Sequence, residues 1–222
     1  MVRPKFGIIS IPDVVFFPNT VLPVDVTDPI YISMVLTSIE NGMFLSVLPS
    51  PGQIKQGQIC AIGRPILLND SNKDRIRIAL EGIGKVILNT PLQNIPYPIW
   101  EGHFLEEIGD GGILINSGIE RLNRIFNKWI NLSISNSLDR ENFLKQINNI
   151  NQIVDYISMF LIRDVELKLI FLKTNSIFEK INMLNLLIPN EESPHIEDPG
   201  IIRVLKFFET MDTHQESLLK AS

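Results

Sequence analysis

Large apolar residues occupy every second position over residues 75–81 in the first half of the chain. Ile76, Ile78 and Leu80 would share one face of a strand, and the charged residues among them would share the other. A strand with a single apolar face is typical of an antiparallel sheet or barrel. Because a polar turn precedes this strand, the sequence predicts a hairpin with the apolar run 59–68.

The spacing of apolar residues changes to about 3.6 after the glycine-rich segment 109–112. No proline interrupts the chain from there to Pro189. Ser176 and Glu179 have the spacing of a capping box, which predicts the start of a helix ending at Pro189. The apolar face of the first helix is predicted to contain Ile119, Leu122, Phe126, Trp129 and Ser133. We therefore expect residues 119–188 to form a helical bundle.

These two patterns predict an α+β protein with three regions. Residues 1–112 carry many short β-branched runs separated by turn signals, and we expect a β-rich subdomain there. Residues 113–188 are expected to form a helical subdomain. Proline and acidic residues are frequent just after Pro189, so residues 189–222 are predicted to be an acidic linker followed by a short helix.

Composition and charge narrow the classes of function. The chain has 222 residues, 45% of them hydrophobic, and a formal net charge of -5, which counts against a general nucleic-acid binder. The single cysteine, Cys60, cannot form an internal disulfide. The most hydrophobic long segment, 153–172, contains several charged residues and is expected to be a soluble helix rather than a membrane span. The N-terminus lacks the features of an export signal, so we expect a cytoplasmic protein.

A search for catalytic motifs gives mostly negative results. The sequence contains no phosphate-binding loop of the G-x-x-x-x-G-K-[ST] type and no G-x-S-x-G elbow. His103, His195 and His214 share no metal-ligand spacing with one another or with Cys60. We expect no cofactor, no metal and no catalytic residues, although a triad assembled from distant positions would leave no local signature.

Two sets of basic residues have the spacing to meet phosphate. Arg75 and Arg77 share a strand face, and Arg121, Arg124 and Lys128 share a helix face. The net negative charge and the lack of interleaved aromatic residues favour ordinary solvated faces over nucleic-acid contacts.

Aromatic residues offer a different kind of surface. Tyr97 and Trp100 flank prolines in a loop-like stretch, so they are the candidates for contact with a peptide, whereas Phe16, Phe17 and Trp129 are expected in the core.

Several segments, in order, resemble the N-terminal, substrate-binding domain of the ATP-dependent Lon protease. The similarity covers about residues 5–188, and five positions depart from the family's pattern. Leu169 and Lys173 replace a polar and an acidic residue of one helical segment. Asn19 replaces a turn glycine, a change that asparagine tolerates in left-handed backbone. Lys85 and Lys180 replace arginine and lose its planar, two-pronged pairing. The similar segments are 11–19, 22–24, 29–31, 61–63, 80–85, 96–98, 154–157, 168–172 and 178–184.

The resemblance implies a small β-barrel of the PUA-like kind followed by a helical bundle. The chain stops before the ATPase and protease domains that follow this region in Lon, so it is expected to be a stand-alone member without either activity. The implied function is non-enzymatic binding of unfolded or exposed hydrophobic polypeptide. The resemblance also implies a role in protein quality control, together with proteolytic machinery. Two alternatives stay open: a small hydrolase with an unrecognised site, and an RNA-binding PUA-like protein.

Overall fold

A computed structural model of the protein describes residues 3–50, 53–72, 74–106 and 116–188. Within these residues the chain forms six strands and six helices. The strands are β1 (Lys5–Pro12), β2 (Val21–Val26), β3 (Phe44–Ser50), β4 (Ile59–Asn72), β5 (Arg75–Gln93) and β6 (Ile99–Leu105), and the helices are α1 (Pro29–Asn41), α2 (Asn116–Ser133), α3 (Ser137–Gln146), α4 (Ile150–Phe160), α5 (Val165–Lys173) and α6 (Ile177–Leu187).

The strands form one sheet that closes on itself. Their order is β2-β5-β4-β3-β1-β6, and the long strand β5 also pairs with β6, which completes a ring of five strands with β2 added beside β5. All pairings are antiparallel except that of β1 with β3. Since parallel neighbours need a crossover connection, the chain passes through β2 and α1 between these two strands. The fold is α+β, as predicted.

The predicted hairpin is the longest pairing of the sheet. Strand β4 pairs antiparallel with β5 from Ile59 to Asn72, with register shifts at three places. Ile76, Ile78 and Leu80 are all buried, as their alternation predicts. The core inside the barrel is apolar and consists of Phe6, Ile8, Leu48, Cys60, Ile62, Val86, Leu88 and Trp100.

A turn before β2 packs closely on the sheet. Phe16 and Phe17 are buried, and the hydroxyl of Thr20 donates to the carbonyl of Phe17 at 2.8 Å. A Cβ at Gly82 of β5 would lie 2.7 Å from that same carbonyl, so only glycine fits there. Asn19 in this turn has φ 57°, which confirms that asparagine adopts the left-handed conformation expected from the sequence.

Helix α1 lies within the region for which the sequence analysis predicted strands. Its first residue is a proline, and its N-cap Asp28 accepts a hydrogen bond from the Ile30 amide at 2.8 Å. Gly42 ends it with φ 62°. Met34 is buried against β1, where a Cβ at Gly7 would come within 2.5 Å of the methionine sulfur. These cap signals were present in the sequence but were flanked by strand-like runs.

The chain divides into two compact units, and the division differs from the predicted subdomains. The β-unit contains the described residues up to 106 together with 162–175, which carry α5. The helical unit contains 116–161 and 176–188, which carry α2, α3, α4 and α6. A single bundle over 113–188 is therefore not what the structure shows, because α5 packs against β4. The predicted linker and helix at 189–222 lie outside the described residues.

The core of the helical unit is a group of aromatic side chains. Their ring centroids are 5.4–6.2 Å apart, the range of favourable aromatic pairs. The α2 face predicted from periodicity supplies two of them. Ser176 caps α6 as predicted, since its hydroxyl accepts from the Glu179 amide at 3.1 Å. The aromatic residues are Phe126, Trp129, Phe143, Tyr156 and Phe160.

Candidate functional site

Both aromatic residues predicted to contact a peptide are buried. Trp100 lies on β6 opposite Phe6 and is 6% exposed within the barrel core. Tyr97 is 9% exposed, and its carbonyl accepts a hydrogen bond from the Gln93 side chain at 3.0 Å. The expected exposure of these rings is therefore wrong. Direct contact of either ring with a ligand stays a prediction, and the burial of both counts against it.

The surface of the same stretch is formed by its aliphatic residues. Ile95 is 86% exposed and Leu92 is 47% exposed, between prolines 91 and 96, which are also exposed. We call residues 91–96, the last three residues of β5 and the three that follow, the apolar turn. Residues 86–100 contain no charged side chain at all. This long uncharged run is the signal that could have drawn attention to the turn instead of to the aromatic rings.

The strand-face arginines share one carboxylate. Arg75 and Arg77 each place a guanidinium nitrogen 2.9 Å from an oxygen of Asp25 on β2. Partial burial raises the pKa of Asp25, but hydrogen bonds and charges from Arg77 and Arg75 outweigh that effect and hold the pKa below its usual value. The three residues together carry one net positive charge, so the arginines do not form the continuous positive patch that an RNA-binding surface would require.

Arg121, on the basic face of α2, forms hydrogen bonds within the helical unit. Its guanidinium donates to the backbone and side-chain oxygens of Asn185, both at 2.8 Å, and to the carbonyl of Ile188. It therefore satisfies carbonyls at the C-terminal end of α6 that lack helical partners. Its neighbours Arg124 and Lys128 are exposed.

The two lysines that stand where the family has arginine, Lys85 and Lys180, are also buried. Lys85 on β5 donates to the carbonyl of Thr174 at 2.9 Å and to the side chain of Asn175 at 2.7 Å. Lys180 on α6 pairs with Asp155 on α4 at 3.1 Å. Both ammonium groups are buried and bonded to oxygen atoms of their own unit. Because both ammonium groups are buried, their present positions do not offer them to a partner.

The described residues offer little for bond-making chemistry. Among them, no three His, Cys, Asp or Glu side chains are grouped so that they could hold a metal ion. Burial raises the pKa of the Cys60 thiol to about 12, although a hydrogen bond with Ser46 opposes the shift, so the nucleophilic thiolate is suppressed. His195 and His214 lie outside the described residues. No described helix combines the length and apolar character that crossing a membrane needs.

Comparisons of the sequence and of the structure with known proteins point to the same family. Residues 6–190 match the model of the family described as the ATP-dependent protease La (LON) substrate-binding domain. The structure is similar to the N-terminal domain of a Lon protease from the Mycobacterium avium complex, with a TM-score of 0.60, 12% identity, and 81% of this chain and 95% of that one covered. It is equally similar to a Lon N-terminal domain protein from Xanthomonas campestris, with a TM-score of 0.60, 13% identity, and coverage of 83% and 99%. A search of curated proteins finds no match.

Proposed function

Because this chain belongs to the family of Lon substrate-binding domains, we propose that it is a non-enzymatic module that binds unfolded or otherwise exposed hydrophobic polypeptide. The observation that carries the proposal is the family match, which spans both units of the structure. We further propose that it acts in the cytoplasm, in protein quality control, together with proteolytic machinery.

The apolar turn is the proposed contact surface. Ile95 and Leu92 expose aliphatic side chains to water, and an apolar segment of a client would cover them. Fully burying such a side chain contributes about 1.5–3 kcal/mol. Because residues 86–100 carry no charged side chain, this surface would not require a charged group on the bound polypeptide. Polypeptides would then be selected by hydrophobicity and accessibility rather than by charge.

Tyr97 and Trp100 are buried residues that adjoin this surface in the sequence. Trp100 on β6 pairs with Pro91 of the turn and its ring fills the barrel core, and the Tyr97 carbonyl accepts a hydrogen bond from the side chain of Gln93 within the turn. Both residues would then affect binding by holding the turn in place. The aromatic rings themselves contribute little area to a ligand.

Two observations favour this proposal over the alternatives. RNA binding through the strand face would require cations free to contact phosphate, whereas Arg75 and Arg77 are paired with Asp25. A hydrolase that uses Cys60 as nucleophile would require an accessible thiolate, whereas this thiol is buried and its pKa is raised.

The experiment is a binding titration of the full chain with a fluorescently labelled, permanently unfolded apolar polypeptide. Anisotropy is measured at roughly 50 and 200 mM salt, and a single-stranded RNA of similar size is titrated in parallel. We expect saturable polypeptide binding whose affinity changes less than threefold with salt. Release of counterions from a nucleic acid would instead weaken binding by orders of magnitude over a comparable range. Saturable RNA binding without polypeptide binding would overturn the proposal.

A further inference from the structure

Helix α5 packs on strand β4 of the β-unit. It has nine residues, which is shorter than a helix needs for stability on its own in water. Its N-cap Asp164 accepts a hydrogen bond from the Leu167 amide at 2.9 Å. Of its side chains, Phe171 and Leu172 are buried and the others are partly or largely exposed. Phe171 and Leu172 therefore supply the buried apolar contact of this helix.

The C-terminal end of α5 is held by a buried charge. The Lys85 ammonium on β5 bonds to the Thr174 carbonyl, at the C-cap of α5, and to the Asn175 side chain next to it. An ammonium removed from water is strongly destabilised unless oxygen atoms replace its hydration. Docking of α5 supplies those oxygen atoms, so the helix and the lysine depend on each other.

We propose that α5 opens from the β-unit as one segment and that Lys85 is the latch that keeps it closed. No strand pairing of the sheet includes a residue of α5, so opening breaks no hydrogen bond between strands. It would separate Phe171 and Leu172 from their apolar neighbours and return the Lys85 ammonium to water. Segments with few buried contacts open at a lower free energy than the core around them.

Hydrogen exchange of the full chain, followed peptide by peptide with mass spectrometry, tests this inference. The wild-type protein is compared with Lys85→Met, which removes the latch, and with Lys85→Arg, which keeps a donor. Lys173→Met is the matched control, because it removes an exposed lysine from α5 itself. We expect Lys85→Met to accelerate exchange at residues 165–173 at least tenfold, and to change exchange in β4, β5 and α4 less than threefold.

The control and Lys85→Arg should both stay within threefold of wild type at residues 165–173. Equal acceleration of α5 and the strands in Lys85→Met would overturn the proposal, because Lys85 would then stabilise the whole β-unit. Unchanged exchange in α5 would overturn it as well. If Lys85→Met does not fold, Asn175→Ala replaces it as the test, because it removes one of the two acceptors of the Lys85 ammonium. It should accelerate hydrogen exchange selectively in α5, by a smaller factor.

Discussion

Lys180 on α6 and Asp155 on α4 form an ion pair inside the helical unit, with 3.1 Å between Nζ and Oδ1 and side chains only 3% and 1% exposed. The two residues are 25 positions apart, and each lies in a segment that resembles the Lon family. Neither charge can regain its hydration while the helices stay packed. The pair therefore makes the packing of α4 and α6 specific, because each charge requires the other at that position.

Removing one member of this pair should destabilise the protein strongly. Asp155→Ala leaves the Lys180 ammonium buried without its partner, and we expect a loss of about 3–5 kcal/mol in the free energy of unfolding. Urea denaturation followed by circular dichroism measures this loss. Glu141→Ala is the control, because it breaks the exposed pair of Glu141 with Lys145 and should cost less than about 1 kcal/mol. Equal effects of the two substitutions would contradict our account of the buried pair.

Trp100 should prove structural rather than a ligand contact. Trp100→Ala removes a large ring from the barrel core, and we expect it to lower the free energy of unfolding by about 3–5 kcal/mol. Trp100→Phe should cost less and leave enough folded protein for a binding titration. In that titration, affinity for an unfolded polypeptide should stay within threefold of wild type. A more than tenfold loss of affinity with unchanged thermal stability would show that the ring contacts the ligand.

The left-handed backbone at Asn19 should limit which residues this position tolerates. With φ 57°, a residue with a Cβ and no local polar group is strained there. We expect Asn19→Ala to be less stable than Asn19→Gly by about 1–2 kcal/mol in thermal or urea unfolding. Since both substitutions remove the amide side chain, their difference isolates the backbone effect. Equal stability of the two variants would contradict the assigned conformation.

Asp25 should contribute to stability in a pH-dependent way. Its pKa is lowered in the folded protein from an ordinary value of 3.8. The contribution is therefore fully present above that value, and it is lost as pH falls through the lower folded pKa. Asp25→Asn should be less stable than wild type at pH 6 to 7, and the difference should shrink as pH falls below the ordinary carboxyl pKa of 3.8 and through the lower folded pKa. A stability difference that stays constant down to pH 2 would contradict the lowered pKa.

Local patterns were enough to predict much of the fold. The alternation at Ile76, Ile78 and Leu80 gave the correct buried face of β5, and the capping serine Ser176 marked the start of α6. The same logic missed α1, although Asp28, Pro29 and Gly42 carry its caps, because strand-like runs flank it on both sides.

What could not be predicted depends on contacts between distant parts of the chain. Helix α5 has the periodicity of any helix, and its place on the sheet becomes visible only when Lys85 meets Thr174 and Asn175. The prolines around Tyr97 suggested an exposed loop, yet β6 begins at Ile99 and directs Trp100 into the barrel. The sequence placed the candidate site in this stretch, which stays a prediction, and the large hydrophobic residues that the stretch exposes are aliphatic.

The apolar turn is the proposed binding surface for exposed hydrophobic polypeptide. The ratio of dissociation constants for an unfolded apolar polypeptide between wild type and the double variant Leu92→Ser/Ile95→Ser tests this proposal. Leu138→Ser is the matched control, since it also replaces an exposed leucine, 61% exposed, in the helical unit.

We expect the double variant to bind at least tenfold more weakly at unchanged thermal stability, because each 1.4 kcal/mol of lost contact is a factor of ten. The control should bind within twofold of wild type. Wild-type affinity in the double variant, or no saturable binding by the wild-type protein, would contradict the account.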